Sequence, residues 1–142
     1  MKILLAVDGS KHSLAAVQCL IEHADWYRSK PEVELVTVHA PLPRLPRMGL
    51  VVGKQQIQRY YEEEGETWLA AAKKKLGAAG IAYNAHILIG QIAESIVRHA
   101  EKTRCDLIFI GTHGRSAAGN MLLGSTATKV LHISSIPVLL VR

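Results

Sequence analysis

Three glycines and a serine near the C-terminus have the types and spacing of a phosphate-binding loop. The stretch reads Gly111-Thr112-His113-Gly114, then nine residues, then Gly124-Ser125-Thr126. An apolar run, Leu107–Ile110, precedes it, and a segment of helical spacing follows. Glycine lets backbone N–H groups approach an anion with no Cβ in the way. The first turn of a helix adds unpaired N–H groups and a positive dipole end. On this reading Gly111 turns the chain off its strand and Gly114 leaves room beside phosphates. Gly124, Ser125 and Thr126 present N–H groups and hydroxyls at a helix start, while Arg115 and Lys129 offer positive charge. A second loop, Asp8-Gly9-Ser10, follows the first apolar run. Asp8 has the wrong sign to hold phosphate, but suits a sugar hydroxyl or a Mg²⁺ riding on phosphates. The same three residues also make an ordinary turn with a helix cap. Both readings stand at this point.

Other chemistry is less well supported. Gly119 to Thr126 has the spacing of a Walker A loop up to its sixth position, but the lysine that should follow is Ser125. Without that charge the P-loop reading is weak. The fingerprint G-x-G-x-x-G is absent after the first strand. His39 and His113 both fall near strand ends. Two histidines without a third placed ligand serve packing or hydrogen bonding more often than a metal, so no metal site is predicted. No residue is evidently placed to activate water in line with a γ-phosphate, so no catalytic residue is assigned.

These loops need elements to position them. Ile3 to Val7 is continuously apolar, as a strand covered on both faces should be. Lys11 to about Ala24 reads as a helix with Leu14, Val17, Leu20 and Ile21 on one face. Val33 to His39 is a second strand. The connection Pro41 to Gly49 carries three prolines and is too long for an ordinary turn, so it reads as a stiff lid. A long helix follows from Lys54 to about Ala78, ended by Gly77 and Gly80. Ile81 to Ile89 alternates, with Tyr83, Ala85, Ile87 and Ile89 on one face and Asn84 and His86 turned outward, which predicts a sheet edge. Then come a helix from Gln91 to Lys102, a strand from Leu107 to Ile110, a helix from about Gly124 to Ile133 and a strand from Val138 to Val141. Strands separated by helices are parallel. The prediction is one α/β domain over residues 1–142, with an open five-stranded parallel sheet and helices on both faces. If the Asp8 loop and the glycine loop share a crevice, the strand order is 3-2-1-4-5.

The totals fit such a domain. Half of the 142 residues are apolar and a fifth are charged. No apolar run has the length of a membrane span. Asp8 cuts the apolar start off too early for a signal peptide, which leaves a first strand. Cys19 and Cys105 are far apart in no metal-like spacing, which predicts two reduced thiols in the cytoplasm. The net charge of +5 is scattered apart from Lys73–Lys75, and aromatics are few, so nucleic-acid binding is not predicted.

Taken together, G-x2-G-x9-G-S at the end of a β-α chain that opens Ile3–Ser10 resembles the universal stress proteins. The likeness covers essentially all 142 residues and includes Val36–His39, Gly90, Asp106–Arg115 and Pro137–Val141. It implies the nucleotide-binding α/β fold with sheet order 3-2-1-4-5. Because every position of the glycine motif is kept, it implies the ATP-binding branch, with AMP or ADP as other ligands and Mg²⁺ carried by the phosphates. By the same likeness Ala6, Val7 and Asp8 line the adenine and ribose side, and Val38 meets adenine through its backbone. Gly111, Gly114, Arg115, Gly124, Ser125 and Thr126 hold ribose and phosphates. The likeness also implies a homodimer along Val138–Val141. The leading expectation is an ATP-binding regulator of a stress response, with at most slow hydrolysis. The alternatives are a small adenylating enzyme, whose serine-rich first loop Asp8–Ser13 only loosely resembles, and an interaction protein with a vestigial site.

Overall fold

The computed structural model describes residues 1–42, 53–115 and 123–142. The expected lid, for the most part, and most of the stretch between Gly114 and Gly124 lie outside the described residues. The elements are β1 (Lys2–Ala6), α1 (Lys11–Glu22), β2 (Glu32–His39), α2 (Lys54–Ala78), β3 (Tyr83–Ile89), α3 (Ile92–Lys102), β4 (Leu107–Gly111), α4 (Ser125–Ile133) and β5 (Val138–Val141). A short 3-10 turn, Ala24–Trp26, takes over where α1 was expected to continue. All pairings are parallel, and the order is β3-β2-β1-β4-β5. This is a single-domain α/β fold.

The apolar strands are explained by two cores. Ile3, Leu5, Val33, Leu35 and Phe109 face α1 and α2, where they meet Val17, Leu20, Leu69 and Leu76. Leu4, Ala6, Val36, Val38, Ile108 and Ile110 face the other way, toward Ala93, Ile96 and Val97 of α3 and Val130 of α4. A strand buried on both sides has no polar face to show, so alternation disappears. The chain winds outward from β1 to β3, then crosses back to β4 with its helices on the opposite face. That reversal falls between β1 and β4 and opens a crevice at their carboxyl ends.

Four expectations change in detail. Gly77 lies within the last turn of α2; Gly80, at φ +63°, is the residue that ends it. Gly111 belongs to β4 rather than to a turn, and Gly124 caps α4 rather than beginning it. β3 is a sheet edge, but the side chains of Asn84 and His86 do not simply face solvent. Both hydrogen-bond the buried carboxylate of Glu34 on β2. A buried carboxylate needs partners, and the neighbouring edge strand supplies them. Among the described residues, no helix is long and apolar enough to cross a membrane.

Candidate functional site

Asp8 stands just past the end of β1 and organises the crevice. Its Oδ1 accepts from the Ser10 N–H at 3.0 Å, and its Oδ2 accepts from the Arg115 N–H at 2.8 Å. The first bond closes the turn into α1. The second reaches across 107 residues of sequence to the glycine loop after β4. The turn-and-cap reading of Asp8-Gly9-Ser10 is what these bonds show. Ser10 is the helix cap, its side chain accepting from the Ser13 N–H at 3.2 Å. Gly9 takes φ +76°, and a Cβ there would stand 3.3 Å from the Trp68 Cα of α2. Asp8 is a latch between the two loops.

The glycines are constrained by neighbouring protein atoms. A Cβ on Gly111 would fall 2.7 Å from the His12 carbonyl oxygen, so β4 and the first turn of α1 approach closely only with glycine here. A Cβ on Gly114 would lie 2.9 Å from Asp8 Oδ2. The Gly124 N–H donates to the Thr112 carbonyl at 2.7 Å, which sets the start of α4 against the β4 loop. The first N–H groups of α4 have no partner within the helix. No acidic residue sits in that first turn to compete for an anion.

Ala6, Val7, Asp8, Val38, Gly111, Gly114, Arg115, Gly124, Ser125 and Thr126 all line this one crevice, which encloses about 740 Å³. That volume lies within the usual range of about 300–1,000 Å³ for small-molecule sites. Val38 lies two residues beyond Val36, whose carbonyl accepts from the Val7 N–H at 2.9 Å. Alternate residues of a parallel strand aim their main-chain groups at the same neighbour. The Val38 main chain thus points toward the β1 side, above the end of β1. The crevice also has an apolar wall from Val36, Ile92, Ile96 and Ile110.

Sequence reasoning passed over Trp68. It is half-buried on α2, and the Arg115 guanidinium lies 4.2 Å from its ring centroid. His39 stacks on the same indole with centroids 4.2 Å apart. The available signal was the stripe Tyr61, Gly65, Trp68, Leu69, Ala72 and Leu76, which continues one helical face into the crevice. Lys129, expected near phosphate, instead pairs with Glu94 of α3 and is not among the lining residues. His39 is buried and packs, with Nδ1 3.4 Å from Glu64. Burial pushes its pKa below the ordinary value, the charge of Arg115 adds to this, and Glu64 opposes it. His113 hydrogen-bonds Thr112 Oγ1 at 3.1 Å, and its ring lies 5.1 Å from that of His12.

The model of the universal stress protein family matches residues 1–142. The chain belongs to that family. Universal stress protein MJ0531 of Methanocaldococcus jannaschii is 33% identical over 141 residues, covering 99% of this chain and 81% of its own length. The solved structure of MJ0577 from the same organism superposes with a TM-score of 0.82 at 27% identity, over 99% of this chain and 94% of that one. A universal stress protein from Archaeoglobus fulgidus in complex with dAMP shares the fold, with a TM-score of 0.65 at 23% identity, over 100% of this chain and 98% of that one. The family's fold accounts for the placement of the crevice at the β1–β4 reversal.

Proposed function

We propose that this chain binds an adenine nucleotide in the crevice, ATP before AMP or ADP, and that occupancy tunes a stress response. One observation carries the reading. The Asp8 loop and the G-x2-G-x9-G-S loop meet at a single crevice, joined by the Arg115 N–H to Asp8 hydrogen bond. The base would lie on the apolar wall of Ala6, Val7 and Ile110, with the Val38 main chain at its edge. Asp8 accepts one N–H on each oxygen, and each oxygen has a second lone pair for a ribose hydroxyl. Phosphates would meet the N–H groups and hydroxyls of Ser125 and Thr126 and the main chain of Gly111, Gly114 and Gly124. Arg115 supplies positive charge. Mg²⁺ would ride on the phosphates, with Asp8 the nearest lining carboxylate. The complex of a family member with dAMP supports an adenine nucleotide.

The same reading makes the protein a cytoplasmic homodimer paired along β5, with Cys19 and Cys105 as free thiols. The test is native mass spectrometry of freshly purified protein, followed by thermal unfolding with Mg-ATP. Retained ATP or AMP is expected, and ATP at 100 times its Kd should add about 2.7 kcal/mol of stability. An empty protein with no thermal shift would overturn the reading and leave the vestigial site. Pyrophosphate release with an acid substrate would instead identify an adenylating enzyme.

A further inference from the structure

The opposite end of the sheet carries a second polar cluster. Glu34 lies near the start of β2 and is only 4% exposed. A carboxylate so buried needs partners. Its Oε1 accepts from Asn84 Nδ2 at 3.2 Å and pairs with Lys2 Nζ at 3.6 Å. Its Oε2 faces two imidazoles. His86 Nε2 of β3 is 2.6 Å away, and His99 Nε2 of α3 is 3.6 Å away. Three donor atoms from three elements thus lie within 4.8 Å of one another.

The His99 contact is too long for a hydrogen bond, and its Nε2 is buried with no hydrogen-bond partner. Buried polar atoms are normally satisfied, so this one asks for an explanation. Burial, with the charge of His86, pushes the His99 pKa below the ordinary imidazole value, against the pull of Glu34. Burial pushes Glu34 up, but hydrogen bonds from Asn84 and His86 and the charges of His86 and Lys2 outweigh it and keep the carboxylate ionised.

We propose that Glu34, His86 and His99 form a binding site for a divalent transition-metal ion, Zn²⁺ foremost. Two imidazole nitrogens and one carboxylate oxygen suit Zn²⁺ better than Mg²⁺ or Ca²⁺, which prefer oxygen throughout. Tetrahedral bonds of about 2.0–2.1 Å space donors about 3.4 Å apart. The His99–Glu34 spacing already matches, and the His86–Glu34 contact must open by about 0.8 Å. The ion takes the place of the proton between His86 and Glu34. Asn84 and Lys2 stay on the other carboxylate oxygen and hold it in orientation. Lys2 also lies 3.9 Å from Glu32, so its charge has a second partner. The His86 side chain is 33% exposed, which opens a route for the ion and a fourth position for water. The ion would pin the edge strand β3 and helix α3 to β2, remote from the nucleotide crevice.

The experiment is titration of metal-free protein with Zn²⁺ alone, read by calorimetry, and with Co²⁺, read by visible absorption. One Zn²⁺ per chain and the intense bands of four-coordinate Co²⁺ are expected. His86→Asn and His99→Asn should each weaken uptake by more than the about 10–100-fold that loss of an outer partner costs. His23→Asn, which removes the imidazole beside Cys19 Sγ at 3.7 Å, should leave uptake unchanged. No uptake by the unaltered protein would overturn the proposal. So would uptake that survives His86→Asn, the more exposed of the two and the one that decides if His99→Asn fails to fold.

Discussion

At the scale of residues, one carboxylate holds the crevice together. Asp8 spends an oxygen on each loop, and Gly114 leaves the space in which its Oδ2 sits. Gly114→Val puts a branched side chain into that space and breaks the Arg115 N–H bond. With Asp8 unlatched, the ribose side of the crevice is no longer held in place, and ATP affinity should fall at least about 10-fold. Calorimetric titration with Mg-ATP checks this, and a circular dichroism spectrum matching the unaltered protein shows that the fold persists. Unchanged affinity would show that the Asp8–Arg115 latch does not set the nucleotide site. His39 carries a pH dependence. Its folded pKa lies below the ordinary 6.5, because of burial first. As pH falls through about 6.5 the unfolded chain takes up a proton that folded His39 refuses. The stability present above that pH is therefore lost on acidification toward the folded value. His99 is shifted the same way and adds to the loss. His39→Phe keeps the stack on Trp68 and removes the titration. Urea midpoints at about pH 7.5 and about pH 5.5, in chelator, should differ less in the variant than in the unaltered protein.

At the scale of elements, α2 shows how one residue type answers to two constraints. Gly65 sits mid-helix against β3, where a Cβ would lie 2.7 Å from the Ile87 side chain. Gly77 is in the same helix with nothing within 4 Å of an added Cβ. Alanine gains about 1 kcal/mol of helix propensity at either position. At Gly65 overpacking costs about 1–3 kcal/mol and outweighs that gain. Gly65→Ala should lower the thermal midpoint, and Gly77→Ala should raise it by the equivalent of up to about 1 kcal/mol. The close approach at Gly65 brings α2 down onto the sheet, with Trp68 three residues on at the crevice wall. A matched rise for both variants would show that Ile87 yields freely.

At the scale of the molecule, the sheet order governs both the site and the open edges. β5 pairs with β4 through Thr112 N–H to Val141 and Ile108 N–H to Pro137. The main-chain groups of Val138 and Leu140 therefore face away from β4. Leu140→Pro removes an outward N–H that the chain itself does not use, and proline is tolerated on edge strands. If the proposed homodimer pairs along β5, this variant should sediment as a monomer with a near-native dichroism spectrum; an unaltered dimer would move the interface elsewhere. Much of this architecture was legible in the residues. Unbroken apolar strands, amphipathic helices and glycines at strand ends report local periods and backbone demands, and they were enough for five parallel strands; the order 3-2-1-4-5 came from bringing the two loops together and from the family resemblance. Asp8 and the glycine-loop residues stood out because they lie just past strand ends or at a helix start, whereas Ala6, Val7 and Val38 were expected at the crevice only through the family resemblance. Trp68, the Glu34–His86–His99 cluster and the pairing of Lys129 with Glu94 were not legible. Their partners lie tens of residues away or on another element, and no local period encodes which side chains meet across a sheet. The sequence by itself determined the elements, their order along the chain and the glycine signature, because these follow from chain geometry a few residues at a time. Only the tertiary structure decided that Gly114 makes room for Asp8, and that Glu34 is buried between two histidines, because those facts depend on distances between elements.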